Sequence, residues 1–147
     1  MKDLFTIGFT QKGAERFFEL LMTAGVETVI DVRLNNTGQL SGFAKKDDLA
    51  YLLRTIVAIA YRPMPILAPT GDLLAAYQKR ILPWEEYRRR FIDLMRARKI
   101  ERELSPSDAQ SSCLLCSEHQ PHRCHRLLVA EYLNAHWRTQ LTVKHLV

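Results

Sequence analysis

Residues 28–33, TVIDVR, decide the fold of this chain because they have the pattern of a buried strand. Val29, Ile30 and Val32 are β-branched and apolar, and residues of this type are enriched in strands. A short run that is apolar almost throughout is typical of a parallel strand covered on both faces. The polar residues Asp31 and Arg33 fall near its end, where such a strand leaves the sheet.

Short apolar strands and amphipathic helices alternate on both sides of this segment. Further strands are predicted at residues 4–8, in the extended stretch 59–67, at Ser112–Cys116 and at residues 141–147. The first helix is predicted from a Thr10 cap to Gly25, and the second from Asp47 or Asp48 through the apolar Leu49, Leu52, Leu53 and Ile56. A short helix is predicted at residues 71–79, and a longer one from Pro83 through Met95 up to a break at 105–108. The last helix is predicted from Pro121 through Leu133. This order predicts one three-layer, Rossmann-like α/β domain over residues 1–147, with about five mainly parallel strands and helices on both faces.

Length and composition support a globular domain. The chain has 147 residues, of which 47% are apolar and 25% are charged, close to the globular average. No apolar run approaches the roughly 20 residues of a membrane span, and the first residues lack the apolar core of a secretory signal. Three cysteines are too few for a disulfide framework, so we expect a protein of the reducing cytoplasm with no membrane partner.

The net charge of +5 is concentrated in one segment. Residues 79–102 hold nine basic and four acidic side chains, and the rest of the chain is neutral. Clustered bases with aromatic neighbours are typical of nucleic-acid binding, which makes Arg88, Arg89 and Arg90 possible phosphate contacts. The alternative is a solvated helix face, because three consecutive arginines cover a wide arc and cannot all point one way.

The candidate site residues fall where this fold places ligands, at the carboxyl ends of parallel strands and near helix N-termini. They are Gly8 and Thr10 after the first strand, Asp31 and Arg33 at the second, Cys116 and Glu118 at the fourth, and Cys124, His125 and Arg126 at the start of the following helix. All three cysteines and three of the five histidines lie between residues 113 and 125.

These residues predict a pocket for an anionic small molecule or nucleotide. Arg33 and Arg126 would hold the anion, because a planar guanidinium matches phosphate or carboxylate. Gly8 would allow close approach of the backbone, and Thr10 and Cys116 would contribute further ligand contacts.

Cys124 is the candidate nucleophile, because a thiol beside a helix N-terminus and basic residues has a lowered pKa. His125 and Glu118 would move protons, and Asp31 would orient a neighbouring arginine or act as a base. Ala130 stands six residues after Cys124, so the spacing is not that of the Cys-x5-Arg phosphatase loop. The reaction class therefore stays open.

A metal site is a weaker alternative. Cys116, His119, Cys124 and His125 are possible zinc ligands, but their spacing is not that of a zinc finger, and the sequence assigns no cofactor.

A non-catalytic structural or interaction domain is the third possibility. In that case Cys113 and Cys116 are core residues of a buried strand, and Asp31 and Arg33 form an ion pair that fixes a loop. His145 on the last strand is either a buried, hydrogen-bonded histidine or part of the site.

Over essentially its whole length the chain also resembles the domain-of-unknown-function 488 family of small α/β proteins. The matching residues are Thr6-Ile7-Gly8 with Phe9-Thr10, Asp31-Val32-Arg33, Phe43 before Leu49, Tyr61 with Pro65, Leu67 and Pro69, Cys116 and Glu118 followed by Cys124-His125-Arg126, and Val143 with His145. Phe9 stands where the family often has His or Tyr, and Ala68 where it usually has Gly. The resemblance implies the fold and a set of site residues, but no reaction.

Overall fold

The computed structural model describes residues 2–35, 39–117 and 123–147, with the backbone alone for residues 39–41. The strands are β1 (Asp3–Gly8), β2 (Thr28–Asp31), β3 (Ala60–Pro63), β4 (Ser112–Cys116) and β5 (Thr142–Leu146). They form one sheet in the order β3-β2-β4-β1-β5, and every neighbouring pair runs parallel. The predicted α/β class with a parallel sheet is confirmed.

Helices connect the strands. In the described part of the chain they are α1 (Ala14–Ala24), α2 (Lys46–Leu52), α3 (Gly71–Gln78), α4 (Trp84–Arg98), α5 (Pro106–Ala109) and α6 (His125–His136), with 3-10 turns at Gln39–Ala44, Pro65–Leu67 and Ile100–Arg102 and a π-helical turn at Leu53–Val57. Gly25 ends α1 in the left-handed conformation, at φ 76°, as predicted. None of the helices within these described ranges is long and apolar enough to cross a membrane.

Alternate side chains of the strands enter two cores on opposite faces of the sheet. Ile30 and Leu114 belong to one core together with residues of α3, α4 and α6. Val29 and Leu115 belong to the other core with residues of α1 and α2. Helices therefore cover both faces, which confirms the three-layer prediction.

The chain leaves β2 and β4 in opposite directions. From β2 it continues through α2 to β3 on the outer side, whereas from β4 it continues through α6 to β5 on the far side of β1. Since α2 and α6 pack on opposite faces, the carboxyl ends of these two neighbouring strands open a crevice between them. The polar residues that follow β2 and β4 meet at this crevice.

Two helix starts differ from the sequence predictions. Thr10 does not cap α1, because the helix begins later and Gly13 occupies the N-cap position. The last helix begins at His125 rather than at Pro121, because Arg123, at φ 57°, turns the chain immediately before it. Pro121 itself lies outside the described residues.

Three other segments differ in detail. Ile56 does not lie on the buried face of its helix; it is 57% exposed, because the π-helical turn rotates it away from that face. The stretch 59–67 holds the short strand β3 and then a 3-10 turn. The predicted break at 105–108 contains α5, which Ser105 caps by accepting a hydrogen bond from the backbone N–H of Asp108 at 3.1 Å.

The substitution Leu21→Ala should lower the free energy of unfolding by about 2–5 kcal/mol, because Leu21 is fully buried on the core face of α1. Met22→Ala is the matched control: Met22 is the next residue, is 60% exposed, and should contribute little. Urea unfolding followed by circular dichroism measures both effects. Equal losses in the two variants would contradict the orientation of α1.

Candidate functional site

A cavity of about 110 Å³ lies in the crevice between β2 and β4. Four residues predicted from the sequence line it: Arg33, Cys116, Cys124 and His125. The other described lining residues are the cation Arg123, the polar Asn35, Gln78 and Ser117, and the apolar or aromatic Leu34, Leu74, Tyr77 and Tyr87. The described wall thus carries two arginines and no carboxylate.

Arg33 is held in place by a bidentate ion pair with Asp31. Nε and Nη2 of Arg33 each donate to one carboxylate oxygen at 2.8 Å, and its backbone N–H donates to the same group at 3.0 Å. The hydroxyl of Tyr61 also donates to this carboxylate at 2.5 Å; burial and this bond raise the pKa of Tyr61. These contacts favour an orienting role for Asp31 over that of a base.

One nitrogen of Arg33 differs from the rest. Nη1 is buried, as is the residue as a whole at 3% exposure, and it has no hydrogen-bond partner among the described residues. The ring of Phe9 covers the guanidinium, with its centroid 5.3 Å from Cζ. A buried donor without an acceptor costs about 1–3 kcal/mol, so an acceptor bound at Nη1 would remove this penalty.

Cys116 and Cys124 both lie in the cavity wall, and the side chain of Cys116 acts on the pKa of Cys124. Nη1 of Arg126 lies 3.3 Å from Sγ of Cys116. The side chain of Cys116, followed by burial, raises the pKa of Cys124 well above its ordinary value. The predicted lowering of this pKa is therefore wrong, because the second thiol and the loss of solvent outweigh the helix N-terminus.

His125, the first residue of α6, joins this helix to the end of β2. Its Nε2 donates to the carbonyl of Val32 at 2.7 Å. A carbonyl can only accept, so Nε2 carries the proton and Nδ1 carries the lone pair. Burial lowers the pKa of His125 to about 4, which makes the ring neutral at neutral pH.

Arg126 is the largest fully buried side chain among the described residues. The positive charge of its guanidinium disfavours further positive charge on its neighbours. Burial, and then Arg126, lower the pKa of Lys12, whose Nζ donates to the carbonyl of Gly8 at 2.8 Å. The same two causes lower the pKa of His145, which shares a hydrogen bond of 2.6 Å with the hydroxyl of Thr6. Lys12, Arg126 and His145 therefore form a group of basic side chains near the carboxyl end of β1.

Gly8 and Thr10 lie at the same edge of the sheet, outside the described cavity wall. Gly8 is in register with Cys116. The hydroxyl of Thr10 donates to the carbonyl of Ser117 at 2.6 Å, which joins the segment after β1 to the segment after β4. Ligand contacts by Gly8 and Thr10 stay predictions.

Glu118 and His119 lie outside the described residues, so their proton-transfer and metal-ligand roles stay predictions. In the ranges that the structure describes, no group of three or more His, Cys, Asp and Glu side chains could hold a metal ion. Cys113 is buried in the core on the opposite face from Cys116, as expected for a structural residue.

The arginines of α4 have acidic neighbours. Arg89 and Arg90 both pair with Glu86 and lower its pKa to about 2. Arg88 lies 3.7 Å from Glu131 of α6. Such exposed pairs are expected of a solvated helix face, and nucleic-acid binding by Arg88, Arg89 and Arg90 stays a prediction.

Two side chains take part in the site although the sequence did not point to their roles. Tyr61 reaches Asp31 because β3 is the neighbour of β2, and strand order cannot be deduced from residue spacing. Lys12 returns to the end of β1 by bonding to Gly8. In the sequence, this contact is indicated only by the position of Lys12 four residues after Gly8.

A family model described as "Domain of unknown function DUF488" matches residues 13–133. No curated protein and no solved structure matches the chain.

Asp31→Asn should lower the free energy of unfolding by about 3–5 kcal/mol, because it leaves the buried guanidinium of Arg33 without a carboxylate. Glu86→Gln is the matched control, since it removes a carboxylate from exposed pairs and should have little effect. Denaturant unfolding compares the two variants. A small loss in Asp31→Asn would mean that the charge of Arg33 is compensated elsewhere.

Acidification should destabilise the protein between pH 6.5 and about 4 partly through His125. The folded-state pKa is lowered from 6.5 to about 4, so the unfolded chain binds the proton first as the pH falls, and stability is lost across this window. His125→Gln keeps an amide that can donate to Val32 and does not titrate, so its stability profile should be flatter. Unfolding free energies measured across the window test this, and an unchanged slope would contradict it.

Proposed function

The chain belongs to the family described as "Domain of unknown function DUF488", and from this membership and the geometry of the crevice we propose that it binds a small anionic ligand between β2 and β4. The observation that carries the proposal is Nη1 of Arg33, a buried cationic donor without a partner among the described residues. Asp31 already holds the edge of this guanidinium that carries Nε and Nη2, so an anion at Nη1 would complete its hydrogen bonding.

Charge in the cavity supports the same ligand class. Arg123 brings positive charge to the described wall, Arg33 brings a guanidinium that is already paired with Asp31, and no described lining residue is acidic. Asn35, Gln78 and Ser117 add neutral hydrogen-bonding groups. A site of this composition favours an oxygen-rich anion over a cation.

The N-terminus of α6 adds a favourable dipole. Cys124 is its N-cap and makes no capping hydrogen bond with its side chain, and the helix is 12 residues long. Backbone N–H groups at a helix N-terminus attract negative charge. His125, at the first position, is neutral and uses its ring N–H on Val32, so it adds no charge to the site.

The size of the cavity limits the ligand. A volume of about 110 Å³ is below the roughly 300–1,000 Å³ of sites that enclose drug-sized ligands. Leu74, Tyr77 and Tyr87 form one side of it, and the two tyrosine rings stack with centroids 4.6 Å apart. We infer that a phosphate- or carboxylate-sized group enters, with an apolar or aromatic part of the ligand against these rings.

Titration of the protein with inorganic phosphate, sulfate and phenyl phosphate at constant ionic strength tests the proposal. Isothermal calorimetry should show saturable binding, strongest for phenyl phosphate. Arg123→Gln removes one charged donor and should weaken binding about tenfold, the expected effect of losing a charge-assisted hydrogen bond.

Arg62→Gln is the matched control, because Arg62 is also an exposed arginine beside the sheet but does not line the cavity. It should leave the affinity unchanged. Absence of saturable binding for all three anions, or equal weakening in the two variants, would contradict an anion site in this crevice.

A further inference from the structure

The cavity wall holds two thiols whose chemistry goes beyond anion binding. Cys116 ends β4, and Cys124 is the N-cap of α6. They are 0% and 3% exposed, and both line the cavity. The third cysteine, Cys113, lies in the core on the other face of the sheet.

The two thiols have unequal surroundings. Nη1 of Arg126 lies 3.3 Å from Sγ of Cys116, and the charge of Lys12 also acts on this sulfur. A cationic donor at this distance stabilises a thiolate. Arg126 also acts on Cys124, but the side chain of Cys116 and burial outweigh it and raise the pKa of Cys124, so this thiol keeps its proton.

We propose that Cys116 and Cys124 form a redox-active dithiol that reduces a small hydroperoxide, with Cys116 as the attacking thiolate and Cys124 as the resolving thiol. This activity does not depend on anion binding, since it uses the sulfur pair and Arg126 rather than Nη1 of Arg33.

The proposed reaction has two steps. The thiolate of Cys116 attacks one peroxide oxygen, the O–O bond breaks, and the second oxygen leaves and takes up the proton that the Cys116 thiol released. The sulfur of Cys124 then attacks the resulting sulfenic sulfur, the S–O bond breaks, and the oxygen leaves as water with the proton of Cys124. With hydrogen peroxide, two thiols become one disulfide and one peroxide becomes two waters.

The size of the cavity selects the oxidant. A water molecule occupies about 30 Å³ of the liquid, so a space of about 110 Å³ admits a molecule as small as hydrogen peroxide. The burial of both sulfurs keeps a peptide disulfide such as oxidised glutathione away from them. Hydroperoxides are therefore the oxidant class that fits.

The test exposes the reduced full-length protein to equimolar hydrogen peroxide and maps its thiols by mass spectrometry. The three free thiols should fall to one, and a disulfide-linked peptide pair should join Cys116 to Cys124. In Cys124→Ser, the trapping reagent dimedone should label Cys116, because the sulfenic acid then lacks its resolving thiol. Cys113→Ser is the matched control and should form the same disulfide as the unchanged protein.

Two results would overturn the proposal: survival of all three thiols, or a disulfide that includes Cys113. Faster oxidation by oxidised glutathione than by hydrogen peroxide would overturn the choice of oxidant. If a serine variant does not fold, an early dimedone adduct in the unchanged protein decides: on Cys116 it supports the proposal, and on Cys124 it overturns it. A failure to bind phosphate leaves these results unaffected, so the two proposals are tested separately.

Discussion

All five strands run parallel, and this constraint sets the position of everything else in the molecule. Parallel strands need a crossover after each strand, and right-handed crossovers that move in opposite directions along the sheet place their helices on opposite faces. The connections from β2 and β4 diverge in this way. Polar residues can therefore gather in the crevice between them without lying in either apolar core.

The crevice contains the buried guanidinium of Arg33, and the chain supplies a carboxylate that stabilises its charge. An unpaired guanidinium would be costly in such surroundings, but Asp31 stands two residues before Arg33 and meets it with two parallel hydrogen bonds. Tyr61 fixes the same carboxylate from the neighbouring strand. One nitrogen of the guanidinium, Nη1, has no hydrogen-bond partner among the residues that the structure describes.

The sequence predicts much of this arrangement because the relevant signals are local. Short apolar runs indicate the strands, Gly25 indicates the end of α1, and the rule for parallel sheets brings Arg33, Cys116 and Cys124 to one edge. What it misses depends on neighbours that are distant in sequence. The partner of Tyr61 follows from strand order. The π-helical turn that exposes Ile56 is not visible in the spacing of the apolar residues.

The pKa of Cys124 shows the same limit. A helix N-terminus, visible in the sequence, lowers the pKa of a thiol, whereas burial and the contact with Cys116 appear only when the chain is folded. Two opposing effects act on one atom, and the sequence reveals only one of them. The consequence is chemical, since the thiol of Cys124 holds its proton more tightly than its place before α6 indicates.

The place of β1 in the sheet also has a consequence for how the protein forms. β1 is made first but pairs with β4 and β5, which are made last. Contacts between distant segments form slowly, because a long loop must close before they do. During synthesis the apolar β1 segment therefore stays without its sheet partners until the ribosome has produced β4 and β5, so the pairs that β1 makes are among the last in the sheet to form.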